Sequence, residues 1–143
     1  MGDASATAIL WPAVAMAGLT FLVWVRLYHL RLGEMARKRI DAQDLASAAD
    51  SVRLLVDTRA SDNFRNLFEL PVLFYAGVLL AAQIGLADAA SLALAWAFVA
   101  LRAVHSLVHC TWNHVMTRFV AYALATLVLI AFWVRLALAL VAA

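Results

Sequence analysis

Four polar side chains follow one another at helical spacing in and just after a long apolar segment. Arg102, His105, His109 and Asn113 are separated by three, four and four residues, and the apolar run covers 89–110. Because an α-helix turns once every 3.6 residues, these positions lie along one face. An Arg at the centre of a membrane helix costs about 3 kcal/mol if it faces lipid. We therefore expect this face to contact protein, water or a ligand.

Polar residues also open the second and fourth apolar segments. Arg65, Asn66 and Glu69 precede the second segment's wholly apolar part, and Arg118 and Tyr122 stand one turn apart at the start of the fourth. Three helices thus bring a carboxylate, several guanidinium groups, two imidazoles and a phenol to roughly one level. Such a set suits a small zwitterionic ligand that carries carboxylates and an ammonium group.

The composition predicts that membrane helices position these residues. Of the 143 residues, 66% are hydrophobic and 14% are charged, whereas soluble domains have about 45–50% and about 25%. The mean hydropathy is +0.90. Four apolar stretches are long enough to cross about 30 Å of hydrocarbon. We predict one all-α domain, an integral membrane four-helix bundle covering 1–143. Its helices are predicted at 9–30, 63–86, 89–110 and 118–141.

The distribution of positive charge predicts the orientation in the membrane. Seven of the eleven Lys and Arg residues fall between 31 and 65, and basic loops face the cytoplasm. We expect the loop 31–62 and the link 111–118 on the cytoplasmic side and both termini opposite. The first segment is longer than a typical signal-peptide core, so we expect a retained helix. The basic residues are not arranged to bind nucleic acid.

Simpler explanations of the polar residues remain open from the sequence. Glu69 and Arg102 can form a structural ion pair inside the membrane. His105 and His109 can hydrogen-bond across helices without binding a ligand. The two His residues with Glu69 also suit a metal ion, but no fourth ligand is evident and the nearby Arg residues would repel a cation. We therefore predict no metal site.

Three further expectations concern residues outside this set. Arg135, near the far end of the fourth segment, is expected to extend its charged group to the membrane surface. The single cysteine, Cys110, excludes an internal disulfide and is expected to be inert. Apolar residues at intervals in 45–56 indicate a short surface helix within the first loop.

The assembled residues show that the chain resembles the MAPEG family, the membrane-associated proteins in eicosanoid and glutathione metabolism. The resemblance covers four helices, a long basic first loop and three motifs. The motifs are Arg65-Asn66-x-x-Glu69, Arg102-x-x-His105-x-x-x-His109 and Arg118-x-x-x-Tyr122. The run 62–71 is similar to bacterial members, which implies a bacterial inner membrane.

The resemblance implies a homotrimer that binds glutathione between neighbouring subunits, near the cytoplasmic side. Arg118 is implied to stabilise the glutathione thiolate, and Tyr122 to lie near the sulfur. A basic residue after the first helix, Arg37 or Lys38, is implied to come from the partner subunit. The implied glutathione-binding residues are Arg37, Arg65, Asn66, Glu69, Arg102, His105 and His109.

The implied reaction is conjugation of glutathione to a lipophilic electrophile, or reduction of a lipid hydroperoxide. Membrane lipid would deliver this lipophilic substrate. Phe119 stands where the family's prostaglandin synthase has a Ser, which argues against prostaglandin isomerisation. The alternative is a non-catalytic membrane scaffold that binds lipid or a partner protein. A third alternative, a metal-dependent membrane enzyme, requires metal in the purified protein.

Overall fold

The computed structural model describes residues 7–142, and every regular element in that range is helical. In chain order the elements are α1 (Trp11–Lys38), a 3₁₀ helix (Ala42–Leu45), α2 (Ala48–Leu54), α3 (Arg59–Asn66), α4 (Leu70–Gln83), α5 (Ala89–Cys110) and α6 (Val115–Val141). Four crossings formed by α1, by α3 with α4, by α5 and by α6 are long and apolar enough to span a membrane. The predicted all-α membrane bundle is therefore confirmed.

Helix α1 continues to Lys38, beyond the end that the sequence predicted at residue 30. At 1.5 Å per residue its 28 residues extend about 42 Å, so its last turns project beyond a hydrocarbon layer of about 30 Å. Glu34, which is buried on this projection, accepts a hydrogen bond from the Val56 backbone at 2.9 Å. It also pairs with Lys38 at 2.6 Å. These contacts hold the loop, including α2, against α1.

The second crossing is interrupted between Asn66 and Leu70, where the sequence predicted a continuous helix over 63–86. Pro71 is the cause, because it has no N–H to donate to the carbonyl of Leu67. Its ring also disfavours helical geometry at the preceding residue. Glu69 lies at the break with a φ of −95° and a ψ of −102°. Helix α3 is therefore a separate segment whose last carbonyls need other partners.

The far end of the bundle is closed by a tight turn between α4 and α5. Gly85 adopts a left-handed φ of 72°, and the Leu86 N–H donates to the Ala81 carbonyl at 2.8 Å. This arrangement is the usual glycine termination of a helix, which satisfies its final carbonyls. The turn places α5 antiparallel to α4.

An ion pair joins this turn to the last helix. Asp88 caps α5 by accepting the Ser91 N–H at 2.8 Å, and it pairs with Arg135 of α6 at 2.5 Å. Arg135, which was expected to extend its charge to the membrane surface, thus meets an acidic partner in the turn at that end of the bundle. This ion pair joins the start of α5 to α6 at this end of the bundle.

The core draws buried apolar residues from all four crossings, and its largest aromatic contacts lie between α4, α5 and α6. Phe74 stacks on Phe98 with ring centroids 4.5 Å apart. Gly77 allows α6 to approach closely, since a Cβ at this position would lie 3.0 Å from the Phe132 ring. Large apolar side chains also cover much of the outer surface, as expected for helices that contact lipid.

Candidate functional site

The polar face of α5 is buried against the neighbouring helices. The exposed fractions of Arg102, His105 and His109 are 0%, 4% and 7%. Asn113 follows the helix in a left-handed conformation with a φ of 52°. These residues therefore face protein, as their spacing predicted, at the end of the bundle that carries the basic loop.

Arg102 donates hydrogen bonds to the last residue of α3. Its Nη2 donates to the Asn66 backbone carbonyl at 3.0 Å and to the Asn66 side-chain Oδ1 at 2.7 Å. The Pro71 break ends α3 at this point, so this carbonyl accepts only a long bond of 3.4 Å from the Glu69 N–H within its own crossing. A cation at a helix C-terminus is also favoured by the helix dipole. The buried Nε and Nη1 of Arg102 have no hydrogen-bond partner among residues 7–142.

Asn66 connects this guanidinium to the acidic residue of the site. Its Nδ2 donates to Glu69 Oε2 at 2.8 Å. Within the described residues Glu69 and Arg102 form no direct ion pair, so the amide of Asn66 mediates between the two charges. Glu69 itself is exposed, which leaves its carboxylate accessible to a ligand.

His105 is held in a defined orientation by α6. Its Nδ1 lies 2.9 Å from the Arg118 backbone carbonyl, and because a carbonyl only accepts, Nδ1 carries the hydrogen. The opposite nitrogen, Nε2, is buried and has no partner in the described part of the chain. Tyr122 lies beside it, with 5.8 Å between the ring centroids. The same Tyr122 ring is 5.7 Å from the Arg102 guanidinium carbon.

His109 stacks edge-on against His105, with ring centroids 5.5 Å apart. Its buried Nδ1 has no partner among the residues that the structure describes. No group of three His, Cys, Asp or Glu side chains in residues 7–142 is close enough to hold a metal ion. The two imidazoles are therefore available for hydrogen bonds to a ligand.

Arg118 reaches this region through its backbone and not through its side chain. Its Nη1 donates to Asn113 Oδ1 at 2.7 Å, so the guanidinium is directed towards the short link before α6. The imidazole of His114 begins α6 by accepting the Thr117 N–H at 3.2 Å. Helix α6 therefore begins at Val115, about one turn before the predicted start at 118. Arg118 thus lies in the first turn of α6.

Two basic residues of the predicted site lie outside the buried cluster. Arg65 is exposed, 3.9 Å from Asp62, and borders a cavity of about 330 Å³ between α1, the loop and α3. Arg37 is exposed on the last turn of α1. Within one chain, no hydrogen bond or ion pair of the described residues joins either side chain to Arg102 or His105.

A second set of buried polar residues was not identified from the sequence. Asn63 of α3 donates through Nδ2 to Cys110 Sγ at 3.3 Å and accepts from Ser106 Oγ at 3.3 Å. Ser106 and Cys110 stand four and eight residues after Arg102. That spacing placed all three on one helix face, and it was the available signal for this contact.

The cluster keeps polar groups that have no partner in the described part of the chain. The free N–H groups of Arg102 suit a carboxylate, and the exposed carboxylate of Glu69 suits an ammonium group. The free Nε2 of His105 accepts a hydrogen bond from a thiol or an amide. Buried polar atoms without partners are uncommon in folded proteins, and a bound ligand with these groups would satisfy them.

Fold and site together define an all-helical integral membrane protein with a buried polar cluster at one end of the bundle. The sequence model of the MAPEG family matches residues 9–138, nearly the whole chain. The protein belongs to the MAPEG family. No curated protein and no solved structure matches the chain significantly. The family includes glutathione-dependent transferases and peroxidases as well as non-catalytic members.

Proposed function

We propose that the protein binds glutathione in a pocket around Arg102. It then catalyses the reaction of the glutathione thiol with lipophilic substrates from the membrane. The observation that carries the proposal is the fully buried Arg102 guanidinium, which keeps two nitrogen atoms, Nε and Nη1, without a partner among residues 7–142. A charge is buried in a membrane protein at considerable cost. Donors left open in such a place are expected to meet an anionic group.

Each residue of the proposed site has a distinct role. Arg102, Asn66 and Glu69 bind the carboxylate and ammonium groups of the tripeptide, while His105 and His109 add hydrogen bonds. Arg65 binds a further carboxylate at the rim, and Arg37 of a neighbouring subunit completes the pocket in a homotrimer. Tyr122 lies beside Arg102 and His105, and Arg118 moves from Asn113 to the sulfur when glutathione binds.

The chemistry depends on forming the thiolate. A thiol with a pKa of about 8.5 is mostly protonated at neutral pH, and a guanidinium beside it favours the reactive anion. In conjugation the sulfur forms a bond to an electrophilic carbon, and the leaving group departs with its electron pair. In peroxide reduction two glutathione molecules are oxidised to the disulfide, while the hydroperoxide is reduced to an alcohol and water.

A non-catalytic member of the family is the second candidate. In this structure the Arg118 side chain is bound to Asn113, and the exposed Phe119 follows it. Both features suit a pocket that binds a ligand without activating a thiol. Under this alternative the protein binds lipid or a partner protein in the membrane.

Thermal unfolding of the detergent-purified protein tests the proposal. A ligand at about 100 times its Kd stabilises the folded state by about 2.7 kcal/mol, so millimolar glutathione should raise the melting temperature. The analogue that carries a methyl group in place of the thiol should also bind but should support no conjugation of 1-chloro-2,4-dinitrobenzene. Stabilisation without turnover would favour the non-catalytic alternative. No stabilisation by either tripeptide would contradict glutathione binding itself.

A further inference from the structure

Polar contacts join α3 to α5 at three successive levels. Arg59 donates to the Thr111 carbonyl. One turn along, Asn63 bonds to both Cys110 and Ser106, and a further turn along, Asn66 bonds to Arg102. Residue numbers rise along α3 while those of their partners fall along α5, so the two segments run antiparallel. We call these three levels of contact the polar ladder.

Asn63 occupies the middle of the ladder and is fully buried. Its amide both donates and accepts, at 3.3 Å to Cys110 and at 3.3 Å from Ser106. A buried amide that loses its partners keeps the cost of its lost hydration. Since neighbouring residues differ by about 100° around a helix axis, a shift of α3 by one residue would remove both bonds. The middle contact therefore selects one rotation of α3.

This selection matters because α3 is not a continuous extension of α4. The Pro71 break removes the helical hydrogen bonds that would otherwise fix the rotation of α3 relative to the rest of the second crossing. Asn63 and Asn66 are three residues apart and share a face. The rotation that pairs Asn63 with Ser106 is thus the rotation that brings Asn66 to Arg102.

We propose that Asn63 is a positioning residue for the ligand pocket. It contacts no ligand but holds α3 so that the carbonyl and amide of Asn66 meet the Arg102 guanidinium. The inference rests on the proposed function, since the pocket that Asn63 positions is the proposed glutathione pocket. Buried polar groups that fix register are known in other helical assemblies.

The test replaces Asn63 with Leu, a larger side chain with the same branching at Cγ that makes no hydrogen bond. Residues that orient the ligands of metal sites without touching the metal change affinity or activity by about 10–100-fold when they are replaced, and we take this range as a guide. We expect Asn63→Leu to raise the KM for glutathione by about tenfold or more. The kcat should change by less than about twofold, because Arg118 and Tyr122 lie on α6. Phe74→Ala, in the core of α4, is the control: it should lower stability without raising this KM.

The single cysteine supplies a readout that does not depend on glutathione. Cys110 is buried and free, and Asn63 covers its sulfur, so a maleimide should modify it slowly in the wild-type protein and faster in Asn63→Leu. Phe74→Ala should leave the rate unchanged well below its melting temperature. An unchanged KM in Asn63→Leu, or an equal rise in Phe74→Ala, would overturn the positioning role.

The labelling experiment also separates the two proposals. If the wild-type protein binds no glutathione, the proposed function fails. If Cys110 is also labelled at equal rates in the wild type and in Asn63→Leu, the role of Asn63 in holding α3 fails as well. Should Asn63→Leu not fold, Ser106→Ala removes only one of the two bonds and should give a smaller rise in KM. Cys110→Ser keeps a hydrogen-bond acceptor at this position, so it should retain the wild-type KM, whereas Cys110→Val should not.

Discussion

The buried guanidinium of Arg102 donates to both the backbone carbonyl and the side-chain oxygen of Asn66, at 3.0 and 2.7 Å. This relationship exists because Pro71 interrupts the second crossing and leaves the Asn66 carbonyl without its usual helical partner. The break in the second crossing thereby supplies hydrogen-bond acceptors for the buried charge on α5. The same Arg102 keeps two donors that no described residue occupies.

Replacing Asn66 with Leu tests this support. Arg102 would lose its shortest hydrogen bond and Glu69 its amide donor. A hydrogen bond to a charged group contributes about 1.5–3 kcal/mol, so the melting temperature in detergent should fall and the stabilisation by glutathione should be lost. Gln83→Leu is the control, since Gln83 is an exposed amide at the end of α4. Equal behaviour of the two variants would show that Asn66 has no special role.

Arg118 is expected to be necessary for turnover but not for assembly. Removing a group that stabilises a reacting anion costs about 10²–10³-fold in kcat, so Arg118→Ala should lose most of its conjugation activity at pH 7. Because the guanidinium favours the thiolate, its loss should shift the pH–rate profile upwards, towards the free thiol pKa of about 8.5. The deficit should therefore shrink as the pH rises.

Arg118→Lys provides the matched comparison, because it retains the positive charge without the guanidinium. We expect this variant to keep a lowered thiol pKa and an intermediate rate. Steady-state conjugation rates between pH 6 and pH 10 measure both effects, and gel filtration reports the assembly. A wild-type rate for Arg118→Ala at neutral pH would exclude the catalytic role of Arg118.

Gly77 is expected not to tolerate a side chain as large as Leu. A Cβ at this position would lie 3.0 Å from the Phe132 ring, so Gly77→Leu forces α4 and α6 apart. Inserting atoms into a packed core costs about 1–3 kcal/mol, which should appear as a lower melting temperature. The control is Gly18→Leu, since nothing lies within 4 Å of a Cβ at Gly18. Equal melting temperatures for the two variants would contradict the close approach of α4 and α6.

Asp88 should make the stability of the far end of the bundle depend on pH. The hydrogen bond from the Ser91 backbone N–H holds the pKa of the Asp88 carboxyl below its usual range. The positive charge of Arg135 lowers this pKa further. The folded-state pKa lies below the unfolded value of about 3.9, so the stabilisation is present above that pH. It is lost as the pH falls through the lower, folded-state pKa.

The melting temperature of Asp88→Asn should therefore be lower than that of the wild type at pH 7, and this difference should disappear under strongly acidic conditions. The effect should be modest, about 1 kcal/mol or less, because the Asp88 side chain is 50% exposed. In an Arg135→Gln background the Asp88→Asn substitution should cost less at pH 7. A difference that persists unchanged in strong acid would show that the Asp88 charge does not contribute.

The crossings could be predicted largely from apolar length, since lipid leaves few alternatives to a helix. The third crossing has the predicted bounds, 89–110, because Asp88 caps its start and polar residues follow its end. The predicted surface helix within 45–56 is also confirmed, as α2. The end of α1 was missed because Glu34 and Lys38 fix it through tertiary contacts with the loop, and apolar length carries no signal of such contacts.

Helical spacing by itself determined that Arg102, His105 and His109 share a face, and the cost of a charge in lipid determined that this face contacts protein or ligand. Only the tertiary structure decided which group meets which. It placed Asn66 between Arg102 and Glu69, turned Arg118 towards Asn113, and paired Asn63 with Ser106 and Cys110. The physical reason is that spacing fixes the direction of a side chain around one helix, whereas hydrogen-bond partners depend on the rotation and depth of the neighbouring helix. Here the Pro71 break separates α3 from α4, and the contacts of Asn63 with Cys110 and Ser106 select the rotation of α3.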